Sequence, residues 1–265
     1  MMSDKIKRLC MGLLCLLTSA SVLAGISVEP AVVDLNFNAG RATGQFVITN
    51  TGDKDERYRI VASFFTLTES GGVQLAEETE HSMASWIKFN PKEFHLPPKS
   101  KRLVRFVVLP KKKVEDGQYW AAMELESLEG RDYSTKDEQG RTFNLKVIPS
   151  VLAPMFGRAG KISPDFEIKT EALLKNPRGQ NVFEIEIGNK GNAVLNFRGY
   201  YQIEDSNNEV VHESAMDGGL LLRDKTRKYV TLIDPELPPG NYTLKILYAS
   251  KGLSVPLERE LEISF

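Results

Sequence analysis

The residue types that most often do chemistry in proteins occur in this chain without the spacing that catalysis or metal binding requires. The three histidines, His81, His95 and His212, are scattered along the sequence and show no metal-ligand spacing. The chain contains no glycine-rich phosphate loop and no Gly-x-Ser-x-Gly motif. We therefore predict no enzymatic activity, no cofactor and no bound metal, which leaves an unrecognised pair of carboxylates as the one route to catalysis.

Another kind of chemistry, the recognition of an extended polypeptide, is indicated by one stretch of the chain. A long polar connection, Ser127 to Arg141, leads into Thr142 to Ile148, where Phe143, Leu145 and Val147 alternate with polar residues. At the edge of a sheet, such a strand would offer unpaired backbone groups and one apolar face to a partner strand. The alternative, which the pattern alone favours, is that the three apolar residues fill the core of their own domain.

The elements that would position this strand are themselves strands. Apolar and polar residues alternate with a period of two in several runs separated by turn residues, at 45–49, 57–64, 102–108, 119–126 and 143–147. No long stretch shows the 3.6-residue period of an amphipathic helix. Runs of this length and spacing predict an all-β protein built as an antiparallel β-sandwich.

An internal repeat divides the predicted strands into two sets. Gly117-Gln118-Tyr119 and Gly240-Asn241-Tyr242 each precede a strand, and they are offset by a little more than a hundred residues, about one sandwich domain. We expect each tyrosine to pack its ring inward and to bond its hydroxyl group to the backbone. The repeat predicts two tandem sandwiches, residues 25–156 and 162–265. We expect the boundary within Pro154 to Pro164, with a cleft between the domains as a candidate binding surface.

The first 24 residues are typical of a secretory signal. Basic residues precede a short apolar run, Leu9 to Leu17, and a segment of small residues ends at Ala24, where cleavage is expected. The run is too short to span a bilayer, although an uncleaved N-terminal anchor is the alternative. Both cysteines, Cys10 and Cys15, would be removed with the signal. We therefore predict an exported protein with no stable membrane insertion, no disulfide and no thiol.

The charge balance narrows the class of partner. The formal net charge of the whole chain is −1, and Asp4, Lys5, Lys7 and Arg8 together carry +2, so removal of the signal would leave −3. A mildly acidic chain without a strong basic bias argues against nucleic acid as the main partner. A protein partner is the remaining expectation.

The order of several motifs in the first half resembles one known family, the periplasmic chaperones of chaperone–usher pilus systems. These motifs are a first strand, a turn cluster, a tryptophan strand, a leucine–proline turn and a basic strand: Ile26 to Pro30, Asn50 to Gly52, Ser85 to Pro91, Phe94 to Pro98 and Arg102 to Arg105. The resemblance covers roughly Ile26 to Pro154.

Membership of this family would imply two immunoglobulin-like domains with a cleft between them, in the periplasm, acting in pilus or fimbrium biogenesis. It would imply pilin-like subunits as clients and an outer-membrane usher as a further partner. Phe143, Leu145 and Val147 match the alternating residues of the strand that this family donates to its clients, in the mode of recognition called donor-strand complementation. Free chaperones of this type sometimes self-associate through the same edge strand.

One departure from the family leaves a second function open. The best-known members hold the terminal carboxylate of the subunit with an arginine of the first strand and a lysine of the last. Here the first strand contains no basic residue, and Val32 stands about where the arginine would be. Lys146 and Arg158 flank the later position without a clear matching register. The alternative is therefore an exported envelope protein that docks a partner through tandem immunoglobulin-like domains without donating a strand.

Overall fold

The computed structural model describes residues 25–37, 40–110, 114–136, 139–253 and 255–265. The predicted signal at 1–24 lies outside the described residues. Within those ranges, no helix is long and apolar enough to cross a membrane. The chain is almost entirely β-strand, which follows from the period-two alternation along it.

Among its described residues, the first half contains thirteen strands and one short 3-10 helix, Ala84–Trp86. The strands are β1 (Ile26–Glu29), β2 (Val33–Asn36), β3 (Ala42–Asn50), β4 (Glu56–Ser63), β5 (Phe65–Leu67), β6 (Val73–Leu75), β7 (Ile87–Asn90), β8 (Glu93–Leu96), β9 (Lys101–Val108), β10 (Gly117–Ser127), β11 (Arg131–Lys136), β12 (Thr142–Val147) and β13 (Ser150–Ala159).

Two of the sheets in this half face each other as a sandwich. One has the strand order β1-β3-β9-β7 and the other the order β2-β13-β10-β4-β8. The chain therefore changes sheets between β1 and β2, and β2 pairs parallel to β13. The inward residues of both sheets form one core, which includes Phe46, Ile48, Val104, Met123 and Met155, each fully buried. This arrangement is an immunoglobulin-like sandwich.

The second half forms another sandwich with its own core. Its strands are β14 (Phe166–Lys175), β15 (Asn181–Asn189), β16 (Leu195–Glu204), β17 (Val210–Leu221), β18 (Thr226–Ile233), β19 (Asn241–Ser250) and β20 (Leu257–Ser264). The two sheets have the orders β14-β15-β18 and β17-β16-β19-β20. Tyr229 and Tyr248 lie at the centre of the core, and burial raises the pKa of Tyr248 to about 12. The prediction of an all-β protein with two immunoglobulin-like sandwiches is confirmed.

The repeated tyrosines occupy equivalent places in the two sandwiches, as the sequence predicted. The Tyr119 hydroxyl group donates to the Glu115 carbonyl at 3.1 Å, and the Tyr242 hydroxyl group donates to the Pro238 carbonyl at 2.9 Å. Each bond therefore closes the four-residue corner that leads into a strand.

The first sandwich extends beyond the strand at 142–148 that the sequence singled out. Its last strand along the chain is β13, which continues to Ala159, beyond the expected domain end at residue 156. Pro154 is tolerated because β2 pairs with β13 only from Met155 to Arg158, so this proline lies on an uncovered stretch of the edge. The link to the second sandwich therefore runs from Gly160 to Asp165, between β13 and the strand that begins at Phe166.

Candidate binding surface

The segment singled out from the sequence forms the outer part of a long hairpin. β10 pairs with β13 inside the sandwich, and beyond them β11 pairs with β12 as a separate two-stranded ribbon. Between the Glu126–Ser150 and Arg131–Val147 pairs, residues 127–130 lie opposite residues 148 and 149 alone. The ladder is interrupted there, because the two sides are unequal in length and Pro149 has no N–H to donate. The ribbon therefore projects from the sandwich as an extension of its sheet.

The three apolar side chains of β12 are exposed on this ribbon. Phe143 is 47% exposed, Leu145 54% and Val147 46%, and no residue of β12 is buried. The alternative interpretation, that these residues fill the core of their own domain, is therefore wrong. Its physical reason is the ladder interruption, which places β12 outside the sandwich, where the opposite sheet does not cover it.

Apolar residues with the same alternation are exposed in β12 and covered in β13. Val151, Ala153 and Met155 of β13 pack on the core of the first sandwich, and they alternate with a period of two as Phe143 and Leu145 do. The alternating apolar residues after the break at residues 148 and 149 are therefore in the chain's own core, whereas those before it are presented to solvent.

The backbone of β12 is open along one edge. Among the residues that the structure describes, β11 is its one partner strand. The adjoining edge of β13 is covered by β2 from Met155 to Arg158, which leaves its residues 150–154 uncovered by β2. An open edge of this kind accepts a strand from another chain, since its N–H and C=O groups lack partners within the sheet.

The two sandwiches contact each other through the turn between β17 and β18. Leu222, in this turn, is 1% exposed and packs in an apolar cluster with Trp120 and Phe156 of the first sandwich. The next residue, Arg223, donates from Nη1 to the Gln118 carbonyl at 3.2 Å. The Gln118 side chain in turn accepts a bond from the Val194 N–H at 3.0 Å. Apolar packing and hydrogen bonds thus hold the two halves together.

A cleft of about 490 Å³ lies between the two halves. Val32 lies in its wall and is 51% exposed. Arg158, from the end of β13, and Lys251, from the turn after β19, bring two cationic side chains to the same cleft. Asp34 is the acidic residue that lines the cleft, so the two cations outnumber it and could hold a further anionic group such as a carboxylate.

The structure separates the two basic residues that sequence reasoning named. Arg158 lines the cleft, whereas Lys146 lies on the ribbon with its aliphatic chain against Gly130. Lys251 was missed, because nothing in the local sequence of a turn lysine distinguishes a residue at a cleft from one in open solvent. A cluster of Glu80, His81 and Asp224 was also missed, since its members lie up to 144 residues apart in sequence.

Comparisons with known proteins find similarity in structure alone. No protein-family model matches the chain, and no curated protein matches it. The class 5 fimbriae chaperone CfaA is similar with a TM-score of 0.46 and 12% identity, covering 90% of this chain and 98% of that one. The YadV chaperone has a TM-score of 0.46 and 7% identity, with 90% and 100% covered. A structure described as the Salmonella enterica SafA pilin in complex with the SafB chaperone has a TM-score of 0.45 and 10% identity, with 91% and 99% covered.

Proposed function

We propose that this chain is a periplasmic chaperone of the chaperone–usher type, which shields pilin-like subunits by donating β12 to them. The observation that carries the proposal is the exposed apolar row of β12 on a strand with an open edge. The resemblance of the sequence motifs between Ile26 and Pro154 to pilus chaperones supports the same function.

The physical logic requires a client with an incomplete fold. A β-sandwich that lacks one strand exposes a hydrophobic groove between two unpaired edges, which makes it prone to aggregate. A strand donated through one open edge pairs its backbone with one of those edges and fills the groove with its alternate side chains. Phe143, Leu145 and Val147 supply side chains of the required type and spacing.

The magnitudes indicate that the client also needs a second contact. Burying the exposed parts of the three apolar side chains contributes roughly 2–4 kcal/mol. The hydrogen bonds of one strand edge add roughly 3–6 kcal/mol at about 1 kcal/mol each. Association costs about 4–15 kcal/mol in lost freedom of motion, so the ribbon alone gives weak binding. We assign the second contact to the cleft, where Arg158 and Lys251 would hold the terminal carboxylate of the client in place of a first-strand arginine.

The further partners follow from the same function. The loaded chaperone would deliver its subunit to an outer-membrane usher for assembly of a surface fibre. In the absence of a client, the open edge of β12 would pair with a second copy of the chain, so weak self-association is expected at high concentration.

Photo-crosslinking in the native cells tests the donated strand directly. We expect a photoreactive amino acid at Leu145 to crosslink to a secreted subunit, because this side chain would lie inside the groove of the client. Leu232, on the outer face of the second sandwich, is the matched control, since it is an equally exposed leucine on a strand, at 50% against 54%. A crosslink of equal yield at both positions, or none at Leu145, contradicts strand donation.

The same experiment separates the alternative function. An envelope protein that docks its partner without strand donation would crosslink from the cleft, where Val32 is exposed, and not from β12. The absence of a basic residue in the first strand is the observation that favours this alternative. Strong crosslinking at Val32 without any at Leu145 would therefore replace the chaperone function with it.

A further inference from the structure

Beyond the proposed function, we infer that Glu80, His81 and Asp224 form a zinc site that joins the two sandwiches. Their ligand atoms lie within 4.8 Å of one another. Glu80 and His81 belong to the first sandwich, and Asp224 belongs to the turn between β17 and β18 of the second. A metal ion held by all three would therefore bridge the halves of the molecule.

The donor set selects the class of metal. An imidazole nitrogen with two carboxylate oxygens suits Zn²⁺ and related transition metals, whereas Ca²⁺ and Mg²⁺ prefer oxygen donors alone. Three protein ligands leave the fourth tetrahedral position to water.

The distances are close to those that zinc requires. The His81 Nε2 atom lies 2.7 Å from Asp224 Oδ2 and 3.9 Å from Glu80 Oε1. With bonds of about 2.1 Å, the ligand atoms of a tetrahedral zinc ion lie roughly 3.4 Å apart. The observed separations lie on either side of that value, and Glu80 is free to adjust because its side chain is 85% exposed.

The packing around His81 and Asp224 holds both ligands in place. The His81 ring lies against the Trp120 ring with their centroids 5.4 Å apart, and the His81 side chain is only 13% exposed. The backbone N–H of Trp120 donates to the His81 carbonyl at 3.1 Å, which fixes the backbone as well. Asp224 follows Leu222, buried against the first sandwich, and Arg223, bonded to the Gln118 carbonyl. The His81 ring and the backbone at Asp224 are thus positioned by contacts that do not involve the metal, and the Asp224 side chain, 66% exposed, bonds to His81 Nε2 at 2.7 Å.

The other two histidines provide controls that the chain itself supplies. His95 lies 3.4 Å from Asp55, so it forms a pair of the same chemistry within the first sandwich. Neither His95 nor His212 belongs to a group of three donors among the described residues. A site that needs three ligands therefore distinguishes His81 from both of them.

Isothermal titration of the exported chain with ZnCl₂, purified without a histidine tag, tests the site. We expect saturable binding that is weakened at least about tenfold in each of Glu80→Gln, His81→Gln and Asp224→Asn, because each variant removes one ligand. His81→Gln and Asp224→Asn could disturb the interface between the sandwiches. Glu80→Gln tests the site without that effect, since the Glu80 side chain is exposed. His95→Gln and Asp55→Asn should bind as the unsubstituted chain does.

A second readout follows from the bridging position. Zn²⁺ should raise the thermal unfolding midpoint of the unsubstituted chain and of His95→Gln, but not that of Glu80→Gln, because a ligand of the folded state stabilises it. The inference is overturned if the unsubstituted chain shows no saturable binding at about 100 μM Zn²⁺, a concentration that detects even weak sites. It is equally overturned if the three site variants bind as tightly as the unsubstituted chain, or if His95→Gln loses as much affinity as they do.

Discussion

The edges of the second sandwich are closed, whereas the edge of β12 in the first half is open. β20 carries charged residues at four of its eight positions, 258, 259, 260 and 262. Its Arg259 bonds to Glu171 of β14 at 2.7 Å, so the two edge strands on that side are joined. β12 carries one charge, Lys146, among three exposed apolar side chains. Charged edges prevent strand pairing between molecules, so the single charge on β12 supports the proposal that this edge accepts a partner.

The opposite side of the second sandwich is closed by hydrogen bonds instead. On the edge strand β18, the Val230 N–H donates to the Asp217 carboxylate at 3.3 Å, and the Asp217 N–H donates to the Thr231 hydroxyl group at 2.9 Å. These bonds occupy backbone groups that would otherwise face solvent. The comparison teaches that exposed apolar residues alone do not define a binding strand, because Val230 and Leu232 are also exposed but lie next to a closed edge.

The largest expected effect comes from placing charged side chains in the exposed apolar row of β12. Leu145→Glu with Val147→Glu should weaken capture of the client at least about a hundredfold, because two charges would enter an apolar groove. Folding should be retained, with the free energy of unfolding within about 0.5 kcal/mol, since both side chains are exposed. The binding affinity for the client identified by crosslinking measures capture. Chemical denaturation measures the free energy of unfolding.

The matched control for this variant lies on the second sandwich. Val230→Glu with Leu232→Glu changes two side chains of similar exposure, 45% and 50%, and should leave capture unchanged. Equal loss of capture in the control would show that general surface hydrophobicity, and not β12, binds the client.

The next effect concerns the cleft. Arg158→Ala should weaken capture about tenfold, because one charge-assisted hydrogen bond contributes about 1.5 kcal/mol. Lys146→Ala should change it less than about twofold, since Lys146 lies on the solvent-exposed ribbon. Surface plasmon resonance with the immobilised client distinguishes the two variants. An equal loss of affinity in Arg158→Ala and Lys146→Ala would contradict the assignment of the second contact to the cleft.

Replacing charges by apolar side chains on a closed edge should make it bind. Glu258→Val with Glu262→Val would place two apolar side chains on the solvent face of β20, beside Leu247, and should produce weak self-association. Sedimentation equilibrium measures it against Glu258→Gln with Glu262→Gln, which removes the same charges without adding apolar surface and should stay monomeric. If the valine variant is as monomeric as the glutamine variant, exposed apolar side chains on an edge strand are not enough to make β20 bind.

The smallest effects concern the tyrosine corners, which are alike in the two halves. Tyr119→Phe and Tyr242→Phe should each lower the free energy of unfolding by about 1 kcal/mol, because each removes one hydrogen bond to a backbone carbonyl. Urea denaturation provides the measurement. A loss above about 3 kcal/mol in either variant would mean that the ring itself had shifted in the core.

The sequence predicted what depends on local periodicity. The strands follow from alternation over a few residues, and the tyrosine corners follow from a short motif that recurs in both halves. What it could not predict is whether an alternating row is buried. Phe143, Leu145 and Val147 have the same pattern as Val151 and Ala153, and only the interruption of the ladder at Pro149 separates the exposed residues from the buried ones.

Contacts between residues of the two sandwiches could not be predicted from the sequence, for a different reason. His81 and Asp224 lie in different sandwiches, and neither has a neighbour in sequence that indicates the other. Arg158 and Lys251 likewise reach one cleft from separate halves. Such contacts depend on how the two domains dock, which is set by the turn that buries Leu222.

Hydrogen–deuterium exchange tests strand donation most directly, when it is measured on the complex of this chain with the client that crosslinking identifies. If β12 pairs with the client, the backbone amides of Thr142–Val147 that face the open edge will become strongly protected on binding. The amides of the equally exposed strand β18 will exchange at the same rate with and without the client. A stable complex in which the β12 amides exchange as fast as in the free chain would contradict the account.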